Sequence, residues 1–146
     1  MFTRRAIKEV EMELIYPMFM MVLLTMVVGV LTPYHRIRSA YAGELDPRYF
    51  RLMSNYEISE NIATYGRNLG NLYEVPVLFY VVGICALSMN VMSQTFVILM
   101  WTFVILRIIH TIIHLTYNKP LHRFIAYILS LFCALSLWIN LIVLVN

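Results

Sequence analysis

Charged side chains are scarce in this chain: Asp, Glu, Lys and Arg make up 13% of it, against about 25% in an ordinary soluble domain. That scarcity excludes a water-soluble globule. The sequence is 61% apolar over 146 residues, and a domain this small has too much surface to hide so much hydrocarbon from water. Cysteine is nearly absent as well. Cys85 and Cys133 lie far apart within apolar runs, which leaves no disulfide framework and no cysteine-based metal centre; both read as small hydrophobes, and no metal is expected. No patch interleaves basic and aromatic residues, so the net charge of +3 does not point to nucleic acid. Internal repeats and low-complexity stretches are missing too.

Long apolar runs are what the chain has instead. Four of them occupy about 14–34, 69–89, 95–116 and 121–145. Each is long enough for a hydrocarbon core of about 30 Å. Backbone groups in lipid must be satisfied within their own segment, so the runs are expected to be helices. The expectation is an all-α integral membrane protein: one four-transmembrane-helix domain over 1–146, with the lipid bilayer as its solvent. Arg4, Arg5 and Lys8 before the first run, and Ala40-Tyr41-Ala42-Gly43 after it, imitate a signal peptide. The run is too long for one, and His35, Arg36 and Arg38 intervene, so the segment reads as a retained helix.

The connections are unequal. A polar stretch, 35–68, joins the first two spans. Within it Asp46-Pro47 reads as an N-cap with proline at N1. Ser54 and Glu57 have capping-box spacing, which starts the second helix near Asn55, about 18 Å of helix ahead of the membrane. A short uncharged turn near 90–93 follows the second span, and Tyr117-Asn118-Lys119-Pro120 precedes the fourth. With four spans, Arg36, Arg38, Arg48, Arg51, Arg67, Lys119 and Arg123 share one side of the membrane, while Arg4, Arg5 and Lys8 share the other. The richer side is expected to be cytoplasmic, with both termini outside.

Ionisable groups within the spans carry the functional reading, because a charge at membrane depth costs about 2.5–3.5 kcal/mol and normally faces the bundle interior. Arg67, Asn71 and Glu74 share one helical face on the second span, as do Arg107, His110 and His114 on the third. Helical rise puts Glu74 roughly 10–12 Å below Arg67 and Arg107 about 15 Å below Tyr117, at matching depth. A Glu74–Arg107 ion pair is the expected consequence, with His110, Arg123 and Tyr127 above it. Pro76 is expected to kink the second helix and free the Leu72 carbonyl. The far half of every span is almost wholly apolar. The polar groups therefore converge on a cavity open to one side, where one carboxylate faces Arg67, Arg107 and Arg123. Such a surplus of guanidinium suits an anionic ligand bearing carboxylates.

Three ordered motifs resemble the MAPEG family, the membrane-associated proteins in eicosanoid and glutathione metabolism. They are Arg67-x-x-x-Asn71-x-x-Glu74-x-Pro76, Arg107-x-x-His110-Thr111 and Arg123-x-x-x-Tyr127. The resemblance runs from about Arg36 to the C-terminus, and its glutamate–proline spacing looks like that of bacterial members. It implies a homotrimer in a bacterial inner membrane, with glutathione as thiol co-substrate bound between protomers and open to the cytoplasm. Arg36, Arg67, Asn71, Glu74, His110 and Tyr127 match residues that hold the tripeptide. Arg123 matches the catalytic arginine beside the thiol, where a cation favours the nucleophilic thiolate. The implied activity is that of a membrane glutathione transferase or peroxidase acting on a hydrophobic or lipid electrophile. Phe124 stands where the synthase-like members have a serine, and His114 where they have a tyrosine. The lost hydroxyl keeps open a second reading, a non-catalytic lipid-binding or scaffold protein on the same fold. A channel is disfavoured because the far half of the bundle lacks polar lining.

Overall fold

The computed structural model describes residues 4–53, 56–91 and 93–146, apart from the side chains of residues 4–11. Its helices are α1 (Arg4–Tyr41), α2 (Tyr49–Leu52), α3 (Glu60–Ser88), α4 (Gln94–Leu115) and α5 (Pro120–Val145). Four of them, all but α2, are long and apolar enough to cross a membrane. The chain is an all-helical integral membrane bundle. In it α1 packs on α3 and α4, and α5 on α3 and α4, so α1 and α5 stand diagonally opposite.

The first helix is longer than its apolar run. It continues through Pro17 and Pro33 to Tyr41. Proline removes one backbone bond, yet neighbouring helices and hydroxyl side chains tolerate it in membrane helices. Here Thr32 Oγ1 donates to the Val28 carbonyl at 2.8 Å and reaches the Tyr65 carbonyl of α3 at 3.5 Å. The third helix starts later than its capping signals suggest, at Glu60 behind an extended Ser59. Ser54 and Asn55 lie outside the described residues. The reason for the late start is tertiary: Tyr56 folds back onto a small cluster of Leu45, Tyr49 and Ile62, which an earlier helix would carry away. The helix after Asp46-Pro47 starts later than expected, with Arg48 rather than Asp46 at its N-cap, while the Asp46 carboxylate accepts the Arg48 amide at 2.8 Å in the turn ahead of it. The paired Arg48 side chain holds that exposed carboxyl below its ordinary pKa.

Helical spacing builds the core. Leu14, Met21 and Val28 recur every second turn of α1. Leu72, Val75, Phe79, Val82 and Ala86 form the matching stripe on α3. Phe96, Met100, Phe103 and Val104 meet them from α4, and Cys133, Ala134, Leu137 and Leu141 from α5. Phe79 and Phe103 stack with centroids 4.5 Å apart. Gly83 lets three helices close up, since a Cβ there would lie 2.9 Å from Met18 Sδ and 3.2 Å from Met100 Cε. This core fills the end of the bundle near the short α3–α4 turn, where Ser93 caps α4 and donates to Asn140 of α5 at 3.3 Å. Outward lie exposed apolar side chains such as Phe19, Met26, Ile84, Ile98, Ile105 and Phe132, as a lipid-facing surface requires.

Candidate functional site

Toward the other end the interior turns polar. Arg107, His110, Thr111 and His114 are all buried on one stripe of α4, and Thr64 and Asn68 face them from α3. Most of these groups lack partners. The Nε and Nη1 of Arg107, the Nδ1 of His110 and His114, the Thr111 hydroxyl and both amide atoms of Asn68 are buried without a hydrogen bond. Unpaired buried polar atoms are expensive, so a cluster of them marks a place kept for something other than stability.

Arg107 lies buried one turn beyond His110 on that stripe. Its guanidinium donates to the Asn71 carbonyl of α3 and lies 5.9 Å from the Tyr127 ring centre. Among the described residues Arg107 has no ion pair, and the expected one with Glu74 is not formed. Two physical causes account for this. Glu74 lies on the exposed face of α3, turned away from the stripe that packs inside the bundle. Pro76 also loosens the turn before it, and the carbonyl that Arg107 takes is that of Asn71, one residue ahead of the Leu72 carbonyl expected to be free.

Asn71, His110, Arg123 and Tyr127 line one open cleft of about 400 Å³, together with Pro120 and Phe124. The α4–α5 turn aims Arg123. Asn118 sits there in the left-handed conformation, φ 47°. Its Oδ1 accepts from Arg123 Nη1 at 2.8 Å, and its Nδ2 reaches Thr64 Oγ1 of α3 at 3.5 Å. The rings of His110 and Tyr127 are 6.1 Å apart. Phe124, well exposed, borders the same cleft.

Three expected site residues stand apart from it. Arg67 and Glu74 are exposed on the outer face of α3. The buried stripe of that helix runs through Thr64, Asn68, Leu72 and Val75, one residue and so about 100° away from the stripe of Arg67, Asn71 and Glu74. Arg36 lies against the loop instead: its Cζ is 5.8 Å from the Tyr49 ring centre, and its Nη2 lies where a Cβ on Gly66 would come within 3.1 Å. The structure also adds residues that the motifs passed over, namely Asn68, Thr64 and Asn118. A second, inner cavity of about 450 Å³ opens between α1, α3 and α4, walled by His35, Glu60, Thr64, Tyr65 and His114 among others. No group of three or more His, Cys, Asp or Glu side chains gathers as a metal site among the described residues.

A family model described as the MAPEG family matches residues 14–143. The chain belongs to the MAPEG family. Neither a curated protein nor a solved structure matched it. Membership supports a membrane function of the glutathione-linked transferase or peroxidase kind, or one in eicosanoid metabolism. In this MAPEG chain the motif residues divide between a cleft on the bundle and an exposed stripe on α3, so the single chain carries them without enclosing them.

Proposed function

We propose that this protein binds glutathione, or a similar small anionic thiol, and transfers it to hydrophobic electrophiles or uses it to reduce lipid peroxides. Arg123 is the catalytic residue in this reading. Its guanidinium stabilises the thiolate, and Asn71, His110 and Tyr127 position the rest of the molecule, with Arg36, Arg67 and Glu74 contributed at a junction between protomers of a homotrimer. The basic residues favour termini outside and the cleft toward the cytoplasm, and the family resemblance favours a bacterial inner membrane. The observation that carries the proposal is the unbalanced cation. With Glu74 turned outward, Arg107 has no ion pair among the described residues, and it lies buried behind a cleft that presents the Arg123 guanidinium to an incoming anion. The exposed stripe of Arg67 and Glu74 supports a site completed by a second copy.

Titration of the detergent-solubilised protein with glutathione, followed by thiolate absorbance, tests it. Binding in the millimolar range with a thiolate signal is expected, and Arg123→Ala removes the signal. No binding, or turnover untouched by Arg123→Ala, overturns the mechanism. Phe124 favours the second reading, a lipid-binding protein without catalysis, because an exposed apolar ring borders the cleft beside Arg123. Co-purified lipid with no thiol turnover distinguishes it.

A further inference from the structure

The cleft and the inner cavity share no lining residue. Two histidines stand between them. His110 lines the cleft and His114 lines the cavity. They are one turn apart on α4, with ring centroids 5.6 Å apart in an edge-to-face arrangement. Both are 1% exposed, and the Nδ1 of each is sealed without a partner. Structural histidines at membrane depth normally bond a neighbour, so two rings in series, each with an unpartnered Nδ1, call for another account.

The proposed chemistry supplies one. A thiol that becomes a thiolate beside Arg123 must lose its proton. Among the side chains lining the cleft, His110 alone is a base able to take it; the others are Asn71, Pro120, Arg123, Phe124 and Tyr127. Imidazole accepts at one nitrogen and releases from the other, which makes it a conductor as well as a base. On the far side, the inner cavity offers a destination in the Glu60 carboxylate and the polar mouth around His35 and Tyr65.

We infer that His110 and His114 form a proton relay that carries the thiol proton out of the cleft into the inner cavity. This rests on the thiolate reading above. The thiol S–H gives its proton to one ring nitrogen of His110. The other nitrogen of His110 passes a proton to His114 when the two rings, already in edge-to-face contact, turn into hydrogen-bond reach of each other. His114 hands a proton to water in the cavity, and so to bulk. The sulfur keeps the bonding electron pair as thiolate, and the balance is one thiol and one water giving one thiolate and one hydronium. His114 acts through His110 and is a positioning residue. The charged and titratable groups around the pair are Arg107 on α4, Arg67, Glu60 and Tyr65 on α3, Arg123 and Tyr127 on α5, and His35 on α1.

Stopped-flow proton release into a pH indicator tests the relay, using the full chain in detergent with glutathione added. The unmodified protein is expected to release a proton for each thiol bound, more slowly in deuterium oxide. His114→Gln binds glutathione as before but releases the proton about 10²-fold more slowly, and added imidazole restores the rate. Surface His122→Gln releases at the unmodified rate. Release by His114→Gln at full speed, or slow release that imidazole leaves unchanged, overturns the relay alone. Binding without any proton release by the unmodified protein overturns the thiolate reading and the relay with it. Should His114→Gln fail to fold, the isotope measurement on the unmodified chain decides: equal rates in the two solvents overturn the relay.

Discussion

The two ends of the bundle are built from the same four helices to opposite rules. At the α3–α4 turn end the interior is close-packed hydrocarbon, and polar groups there, such as Ser93 and Asn140, find each other. At the other end Asn68, Arg107, His110, Thr111 and His114 are buried as deeply, and most of their polar atoms go unpaired. The changeover falls at one depth on three helices: Val28 to Thr32 on α1, Leu72 to Asn68 on α3, and Val104 to Arg107 on α4. The comparison teaches that stability and chemistry are assigned to different lengths of the same helices.

That division breaks or sharpens under substitution. Phe103→Ala, which removes the ring stacked on Phe79, is expected to lower stability by about 3–5 kcal/mol while leaving thiol affinity near its original value; reversible unfolding in mixed micelles measures the first and titration the second. Arg123→Ala is expected to do the reverse. Turnover falls about 10²–10³-fold and stability shifts by less than about 1 kcal/mol. Arg107→Met sharpens the contrast. Replacing a buried cation that has no ion pair by an apolar chain of similar length leaves stability unchanged or raises it by about 1 kcal/mol, and anionic thiol binds more weakly. A large loss of stability in this variant would show that the polar end is structural after all.

Smaller effects follow in the turns. Asn118→Gly keeps the left-handed backbone but frees Arg123, so turnover falls several-fold; Asn118→Ala adds a backbone penalty of about 1 kcal/mol, and comparing the two separates aim from fold. The smallest effect belongs to the Asp46–Arg48 pair. Its carboxyl pKa lies below the usual 3.8 in the folded chain, so the pair's contribution is present above that pH and disappears as pH falls through the folded value. Stability curves of the unmodified protein and Asp46→Asn are expected to converge on acidification.

The membrane bundle and its apolar end were legible because lipid imposes helices and period 3.6 picks their faces. The polar groups were legible as residues and less so as partners. Arg67, Asn71 and Glu74 make a clear stripe, yet the stripe of Thr64, Asn68 and Leu72 is the buried one. Both fit the helical period, and only packing against the neighbouring helices chooses between them. The Arg107 acceptor was hidden for a different reason: it is a backbone carbonyl in a proline-loosened turn, and no side-chain pattern encodes it. Asn118 gave one weak signal, an asparagine in a short turn ahead of Lys119-Pro120, where left-handed backbone is common.

The length of α1 carries a last consequence. A helix of 38 residues measures about 57 Å, far more than the hydrocarbon it crosses. Its upper reach, with His35, Arg38 and Ser39 along one flank, stands at the headgroups as a stiff post continuous with the buried part. Any widening of the cavity beside it then falls to the opposite walls, the extended segment ahead of α3 and the α4–α5 turn, which act as the movable jamb of that doorway.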